Sequence, residues 1–241
     1  MREERLSVVI PAYNEELRIL PTLSKVHSYL KENFREFEII VVDDGSTDTT
    51  SSVVKNAGLQ GVKLLRKDVN SGKGAAVKDG IAASRGSLVL FTDADLSTPI
   101  EEVEKLAAFI DRGVDIAIGS RALKESDIAV RQPWYREGMG KTFNLFVRIF
   151  LMGGIRDTQC GFKLYRAGAA KRLFALSRIS GYSFDAEVLF VAERKGFKIK
   201  EAPVRWLNSP QSNVKLLSDP LRMFLDLIKI RLMWYAGKYR G

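Results

Sequence analysis

Asp93 and Asp95 stand one residue apart in "LVLFTDADLSTP" (88–99), directly behind the apolar run Leu88 to Thr92. Such a run reads as a strand buried on both faces, and a carboxylate pair just past its C-terminal end lies where open α/β sheets bind ligands. Two carboxylates that close repel each other unless something positive lies between them. Hard oxygen ligands of this kind suit a Mg²⁺ or Mn²⁺ ion that also holds phosphate oxygens. Asp95 or Ser97 could equally start the helix expected near Pro99 as an N-cap, so D-A-D needs support from elsewhere in the chain.

That support comes from polar clusters behind the other strand-like runs: "PAYNEE" after the first, "DDGSTDTT" after the second, "NSGKGAA" after the third and "SR" after the fifth. Placed on one sheet edge they describe a single long crevice. In the second cluster Gly45 permits a tight turn, and Ser46, Thr47 or Asp48 can cap the next helix. Capping leaves the adjacent acids Asp43 and Asp44 unexplained, and one of them could accept hydrogen bonds from a nucleobase or ribose. Lys73 sits between two glycines immediately before a helix, where phosphate is attracted. The loop is neither G-x-x-x-x-G-K-[ST] nor G-x-G-x-x-G. Beside the D-A-D pair, a metal on one side and a lysine on the other would clamp a diphosphate leaving group.

The elements that must position these residues alternate. Strand-like runs at Leu6 to Pro11, Glu38 to Val42, Val62 to Leu65, Leu88 to Thr92 and Asp115 to Gly119 are separated by helical segments. This predicts an α/β fold with a mostly parallel sheet flanked by helices. After about residue 120 longer helical stretches take over, with one more β-like segment, Lys198 to Leu207. With no linker or repeat, the expectation is one domain over 1–210 and an amphipathic helical extension over 211–241. In the segment Lys141 to Met152 the polar residues Lys141, Asn144 and Arg148 leave a wide apolar face, and Leu221 to Tyr235 carries a narrow stripe of Arg222, Asp226 and Lys229. Each face suits either the core or a membrane interface.

Composition narrows the chemistry. The 241 residues carry a formal charge of +9, which points to an anionic partner without choosing among nucleic acid, phosphorylated substrate and anionic membrane. Cys160 is the only cysteine and His27 the only histidine, which excludes an intrachain disulfide, a thiolate zinc site and a histidine triad. Any metal must be held by oxygen. The charged N-terminus does not resemble a signal peptide, and "TFNLFVRIFLMGGI" is too short to span a bilayer, so the expected location is cytoplasmic.

In their order, "VVIPAYNEE", "IIVVDDGSTDTT", "NSGKGAAVKDGI", "TDADLS" and "GSR" resemble the family 2 glycosyltransferases with a GT-A fold. "GIRDTQCGFKLYR", "YSFDAEVLF" and the Lys215 loop followed by "DLIKIRL" look like the dolichyl-phosphate glucose synthases, relatives of the mannose synthases. The resemblance implies inverting transfer of a hexose from a nucleotide sugar to a polyprenyl phosphate, with UDP-glucose favoured as donor and GDP-mannose as the alternative. It implies that Pro11, Tyr13, Glu15 and Asp43 line the nucleoside pocket, that Lys73 meets the diphosphate, and that Asp93 and Asp95 hold Mg²⁺ or Mn²⁺. Arg121, Arg131 and Arg136 become candidates for the acceptor's phosphate. Gln159, Lys163, Asp185 and Lys215 match family positions without an assignable role. A lipid phosphate is already ionised near neutral pH, so alignment and charge neutralisation suffice and no strong general base is required.

Two departures bear on this. Many relatives continue into transmembrane helices, whereas this chain ends after one amphipathic stretch, so peripheral attachment to the cytoplasmic face of a membrane is expected. Mannose-type synthases usually carry an arginine where Ser209 stands, which favours the glucose type. Other readings compete. Haloacid dehalogenase phosphatases also use DxDx[ST], but usually on the first strand. A basic nucleic-acid-binding module would cluster its cations, which are dispersed here, so no nucleic-acid partner is expected. A soluble glycan acceptor would want a general base, for which Asp185 is the candidate.

Overall fold

The first four expected strands form as Leu6–Ala12 (β1), Phe37–Asp43 (β2), Val62–Arg66 (β3) and Leu88–Thr92 (β4). In this computed structural model, which describes residues 1–209 and 219–240, they alternate with the helices Ile19–Asn33 (α1), Thr50–Asn56 (α2) and Lys73–Ala83 (α3). Then follow Val103–Asp111 (α4), Ile116–Ser120 (β5), Asp127–Val130 (β6), Trp134–Phe150 (α5), Phe162–Arg166 (β7), Ala167–Leu176 (α6) and Phe184–Arg194 (α7). Ile199–Pro203 (β8), Arg205–Leu207 (β9) and Asp219–Tyr235 (α8) complete the chain.

Seven strands form one sheet in the order β3-β2-β1-β4-β7-β5-β8, in which only β7 runs antiparallel to its neighbours. The chain works outward from β1 in one direction and returns to its other side with β4, so the two strands flank a topological switch point. A ligand crevice forms beyond the carboxyl ends of such strands. Successive strand residues face opposite sides: Val8 and Ile10 pack under α1 and α4, while Val9 packs under α3. In β1, β2 and β4 both faces are covered, which is why these parallel strands read as largely apolar runs, whereas the edge strands β3 and β8 carry exposed lysines.

The segment expected as one strand over Lys198 to Leu207 divides in two. β8 pairs with β5, and beyond Pro203, which has no N–H to donate, the chain leaves the main sheet and β9 pairs with β6. The strands β6 and β7 were not anticipated; "FKLYR" carries two cations in five residues, yet its Lys163 is fully buried.

α5 starts earlier than the sequence pattern suggested, at Trp134, and part of its apolar surface serves the core. Phe143 and Val147 enter the core, the rings of Phe146 and Phe150 meet Phe224 of α8 at 5.1 and 5.6 Å, and Leu145 and Ile149 face outward. α8 buries Leu227 and Ile230 completely, each contributing roughly 1.5–3 kcal/mol. Its Leu221, Leu225, Ile228, Leu232 and Tyr235, spaced four and three apart, form one exposed apolar stripe. Among the described residues no helix is long and apolar enough to cross a membrane.

Candidate active site

The loops after β1 and β2 are tied together at the switch point. Asn14 takes a left-handed conformation (φ 54°), which Asn tolerates better than most residues. Its N–H donates to Ser46 Oγ (2.9 Å), and its side-chain oxygen accepts from the Thr47 N–H (2.9 Å). Glu15 N–H reaches Thr50 Oγ1 (2.8 Å) and Glu16 N–H reaches Asp48 (3.2 Å). Ser46 and Thr47 therefore hold the first loop, while Asp48 also accepts from the Thr50 N–H at the start of α2 (3.0 Å). Helix capping alone does not describe them.

A cleft of about 710 Å³ opens over these loops and over the end of β4. Pro11, Tyr13, Glu15, Lys73, Asp93 and Asp95 line it. Asp43 does not: it is fully buried, and its two oxygens accept from the Ser46 N–H (2.9 Å) and the Ser51 hydroxyl. Its neighbour Asp44 faces the cleft and receives the N–H groups of Ser71 (3.0 Å) and Gly72 (2.7 Å). Asp44 thereby fixes the loop that leads into Lys73, a positioning role that the sequence reading of these two acids did not include.

The N-terminus of α3 is less available than its sequence suggests. The N–H groups of Gly74 and Ala75 donate to the Ser180 carbonyl at 2.7 and 3.3 Å. Gly72 has φ +99°, and a Cβ there would strike the same carbonyl, so only glycine lets the two loops meet. The Lys73 side chain lines the cleft, its ammonium 2.7 Å from Asp93 Oδ1. Burial alone would push that ammonium down, but the charges of Asp93, Asp185 and Asp95 hold it well above its ordinary value, and it stays protonated.

Asp93 lies between Lys73 and Gly161. Its N–H donates to the Gly161 carbonyl (3.1 Å), and a Cβ on Gly161 would land on its carboxylate. Asp95 accepts from the Ser97 N–H (3.0 Å), so it does cap the following turn while lining the cleft. Burial and the charge of Asp93 raise the Asp95 carboxyl above its ordinary value. Glu15 is raised by burial as well, against the pull of Arg18, which binds it through Nε and Nη2 at 2.7 Å each. Two mutually repelling carboxylates facing open space fit a hard divalent cation. Among the described residues no group of three such ligands is gathered, so the remaining coordination would fall to diphosphate oxygens and water.

The three arginines considered for the acceptor separate. Arg136 lines the main cleft, whereas Arg121 and Arg131 line an adjoining pocket of about 200 Å³ that shares Gln132 and Trp206 with it. Arg121 lies over the Trp206 ring (5.5 Å) and is held by Asp157, its Nε at 2.7 Å and Nη2 at 2.9 Å from the carboxylate. Asp157, from "RDTQCGF", had no role assigned from sequence, although the motif around it carried the family resemblance. Burial would raise its carboxyl, but Arg121 overrides this and holds it at about 2, below the ordinary 3.8. A depressed acid stabilises the fold fully above its ordinary value, and that contribution is lost as pH falls through about 2. Asp157→Ala is expected to cost about 1–3 kcal/mol at neutral pH, because the partly exposed Arg121 guanidinium loses its charge-assisted partner. Urea unfolding should show this difference shrinking between pH 3.8 and 2.

Lys163 and Asp185 lie beneath the cleft as a buried ion pair (2.6 Å). Asp185 lines neither pocket, which removes it from reach of a hydroxyl acceptor. Gln159 N–H donates to Asp157 (3.2 Å), and Ser209 lines the cleft, where its hydroxyl accepts from Arg18 (2.9 Å). Burial pushes the Cys160 thiol up to about 11, which leaves it inert as a nucleophile. Lys215 lies outside the described residues.

The model of Glycosyl transferase family 2 matches residues 7–174. A dolichyl-phosphate beta-glucosyltransferase of Trichomonas vaginalis is 39% identical over 242 residues, 95% of this chain and 71% of that protein. Its counterpart in Homo sapiens is 36% identical over 252 residues, 98% of this chain and 78% of that one. Among solved structures, glucosyl-3-phosphoglycerate synthase of Mycobacterium tuberculosis with Mn²⁺ and UDP-glucose superimposes with a TM-score of 0.65 at 22% identity, covering 97% of this chain and 79% of that one. Mannosyl-3-phosphoglycerate synthase of Rubrobacter xylanophilus gives 0.68 at 19%, covering 98% and 75%. The shared fold is GT-A.

Proposed function

The chain belongs to the family 2 glycosyltransferases, and from that premise we propose that it moves glucose from UDP-glucose to the phosphate of a dolichol-type polyprenyl phosphate, with inversion and with Mg²⁺ or Mn²⁺. The names of its relatives support the glucosyl group and the lipid acceptor. The observation that carries the reading is the continuity of polar and apolar surface around Leu225. This residue lines the cleft and also belongs to the exposed stripe of α8, and Arg222 and Lys229 flank it at the mouth. An acceptor with an anionic head and a long apolar tail matches that gradient, its head reaching the cationic pocket of Arg121, Arg131 and Lys141.

In the reaction an acceptor phosphate oxygen forms a bond to the anomeric carbon as the bond from that carbon to UDP breaks. UDP leaves with the electron pair, and an α-linked donor gives a β-linked product. Asp93 and Asp95 would hold the divalent cation, which neutralises charge on the departing diphosphate. Lys73 supplies the second positive charge from the other side. Arg136 and the adjoining arginines orient the acceptor, and no side chain must take its proton.

The test is transfer of labelled sugar into organic-extractable lipid, with polyprenyl phosphate and Mg²⁺ or Mn²⁺, comparing UDP-glucose with GDP-mannose. Labelled lipid from UDP-glucose is expected. Label from GDP-mannose alone overturns the sugar, and metal-dependent donor binding without labelled lipid overturns the acceptor.

The outward faces of α5 and α8 would attach the enzyme to the membrane surface. Ile228→Glu with Leu232→Glu removes two exposed apolar side chains of the stripe. Burial in lipid at roughly 1.5 kcal/mol each implies that the double variant's partition onto phospholipid vesicles falls at least tenfold. Sedimentation with vesicles checks this.

A further inference from the structure

We propose that the buried Lys163–Asp185 ion pair is a positioning element of the diphosphate site, fixing the Cys160–Gly161 turn that holds the Asp93 carboxylate in place. The inference rests on the reading that Asp93 faces the donor's diphosphate and its metal.

Lys163 follows that turn at the start of β7, where Phe91 pairs with Lys163 and Thr92 with Phe162. Its side chain has no solvent exposure. Instead of leaving the core, the ammonium folds back to donate to the Cys160 carbonyl (2.6 Å), three residues earlier, and to Asp185 Oδ1 (2.6 Å) on α7. The first bond closes the turn over Gly161, and the second anchors it to a helix. Gly161 then meets Asp93 twice, through the Asp93 N–H (3.1 Å) and through the Cα that packs on its carboxylate. The ammonium groups of Lys163 and Lys73 each lie 5.5 Å from the centre of the Phe91 ring, so the buried pair and the cleft lysine share that ring as a neighbour. Charge compensation alone would leave the Cys160 carbonyl unexplained, because Lys163 and Asp185 neutralise each other without it.

Positioning and stability can be separated, because a buried ion pair replaced by apolar residues of similar volume often keeps or gains stability. The variant Lys163→Met with Asp185→Leu removes both charges together. Mn²⁺ binding in the presence of UDP is read from the EPR signal of free Mn²⁺, and exchange of the Asp93 amide is followed in the metal-free protein. Supporting shells of this kind change metal affinity about 10–100-fold. The double variant should melt near the parent temperature, bind Mn²⁺ with UDP more weakly by about tenfold or more, and exchange its Asp93 amide faster. Parental Mn²⁺ affinity and unchanged amide exchange overturn the proposal. Should the double variant not fold, Lys163→Arg replaces it: the charge is retained, but a planar fork cannot reproduce the fold-back to Cys160. The same weakening is expected there, and parental affinity again overturns the proposal. If the parent protein itself binds no Mn²⁺ with UDP, the premise about Asp93 fails, and this outcome is distinct from a parent and variant that bind alike.

Discussion

Asn in place of Asp93 or Asp95 is expected to lower sugar transfer at least a hundredfold, and the two variants are expected to move stability in opposite directions. Loss of one preorganised charge at a site of developing charge typically costs about 10²–10³ in rate. The two carboxylates differ in what holds them. Asp93 is paired with Lys73 at 2.7 Å, so Asp93→Asn deprives a partly buried ammonium of its ion-pair partner and should lower the melting temperature of the metal-free protein. Asp95 is raised by burial and by the charge of Asp93. For a raised acid the charged form opposes folding, and stability falls as pH rises past its ordinary value of 3.8. Asp95→Asn should therefore melt higher than the parent at neutral pH while losing transfer. Measuring kcat/KM into extractable lipid beside a metal-free thermal melt separates these effects, and unchanged transfer in both variants removes the metal assignment.

The first half of the molecule was largely legible in its sequence because its physics is local. Strands buried on both faces must be apolar along their length, and a polar residue directly behind one must lie at the sheet edge. The runs through Ile10, Val42 and Phe91 therefore located β1, β2 and β4 and the acids behind them, while the half-exposed edge strand β3 was marked by its place between helical segments. What was not legible depends on partners far along the chain. Nothing in "DDGSTD" distinguishes Asp43, turned into the protein on Ser46 and Ser51, from Asp44, which holds the Ser71–Gly72 backbone. Arg121 reads as a free cation until Asp157 is found beside it, 36 positions later. β7 was missed because a fully buried lysine among its residues breaks the apolar pattern, and its burial is explained only by Asp185 on another helix.

The acids that could otherwise serve as a general base are held by cations. Asp185 is bound to Lys163 and Asp157 to Arg121, while Glu15 is bound to Arg18. Each acid is matched with a cation, whereas Asp93 and Asp95 share Lys73 as their neighbouring lysine at the cleft. The negative surplus is concentrated where a divalent cation and diphosphate would meet, and the cationic surface lies beside it at Arg131, Arg136 and Lys141. Under the proposed reaction, charge is thereby sorted with the donor end apart from the acceptor end, as alignment-driven transfer requires.

Gly161→Ala tests that sorting with a single methyl group and is expected to lower kcat/KM about a hundredfold, the cost associated with a displacement of about 1 Å at a reacting site. The added Cβ would occupy the place of the Asp93 carboxylate. That carboxylate has little room to yield, because its own backbone is bonded to Gly161 and Lys73 holds its far side. Strain should also cost about 1–3 kcal/mol of stability, as overpacking of a filled site does. Gly168→Ala supplies the control: Gly168 lies in α6 with nothing within 4 Å of an added Cβ, so this variant should keep parental transfer. A Gly161→Ala enzyme that transfers like the parent would mean that the carboxylate moves freely without loss. Asp93 would then not be the fixed metal ligand of the proposed reaction.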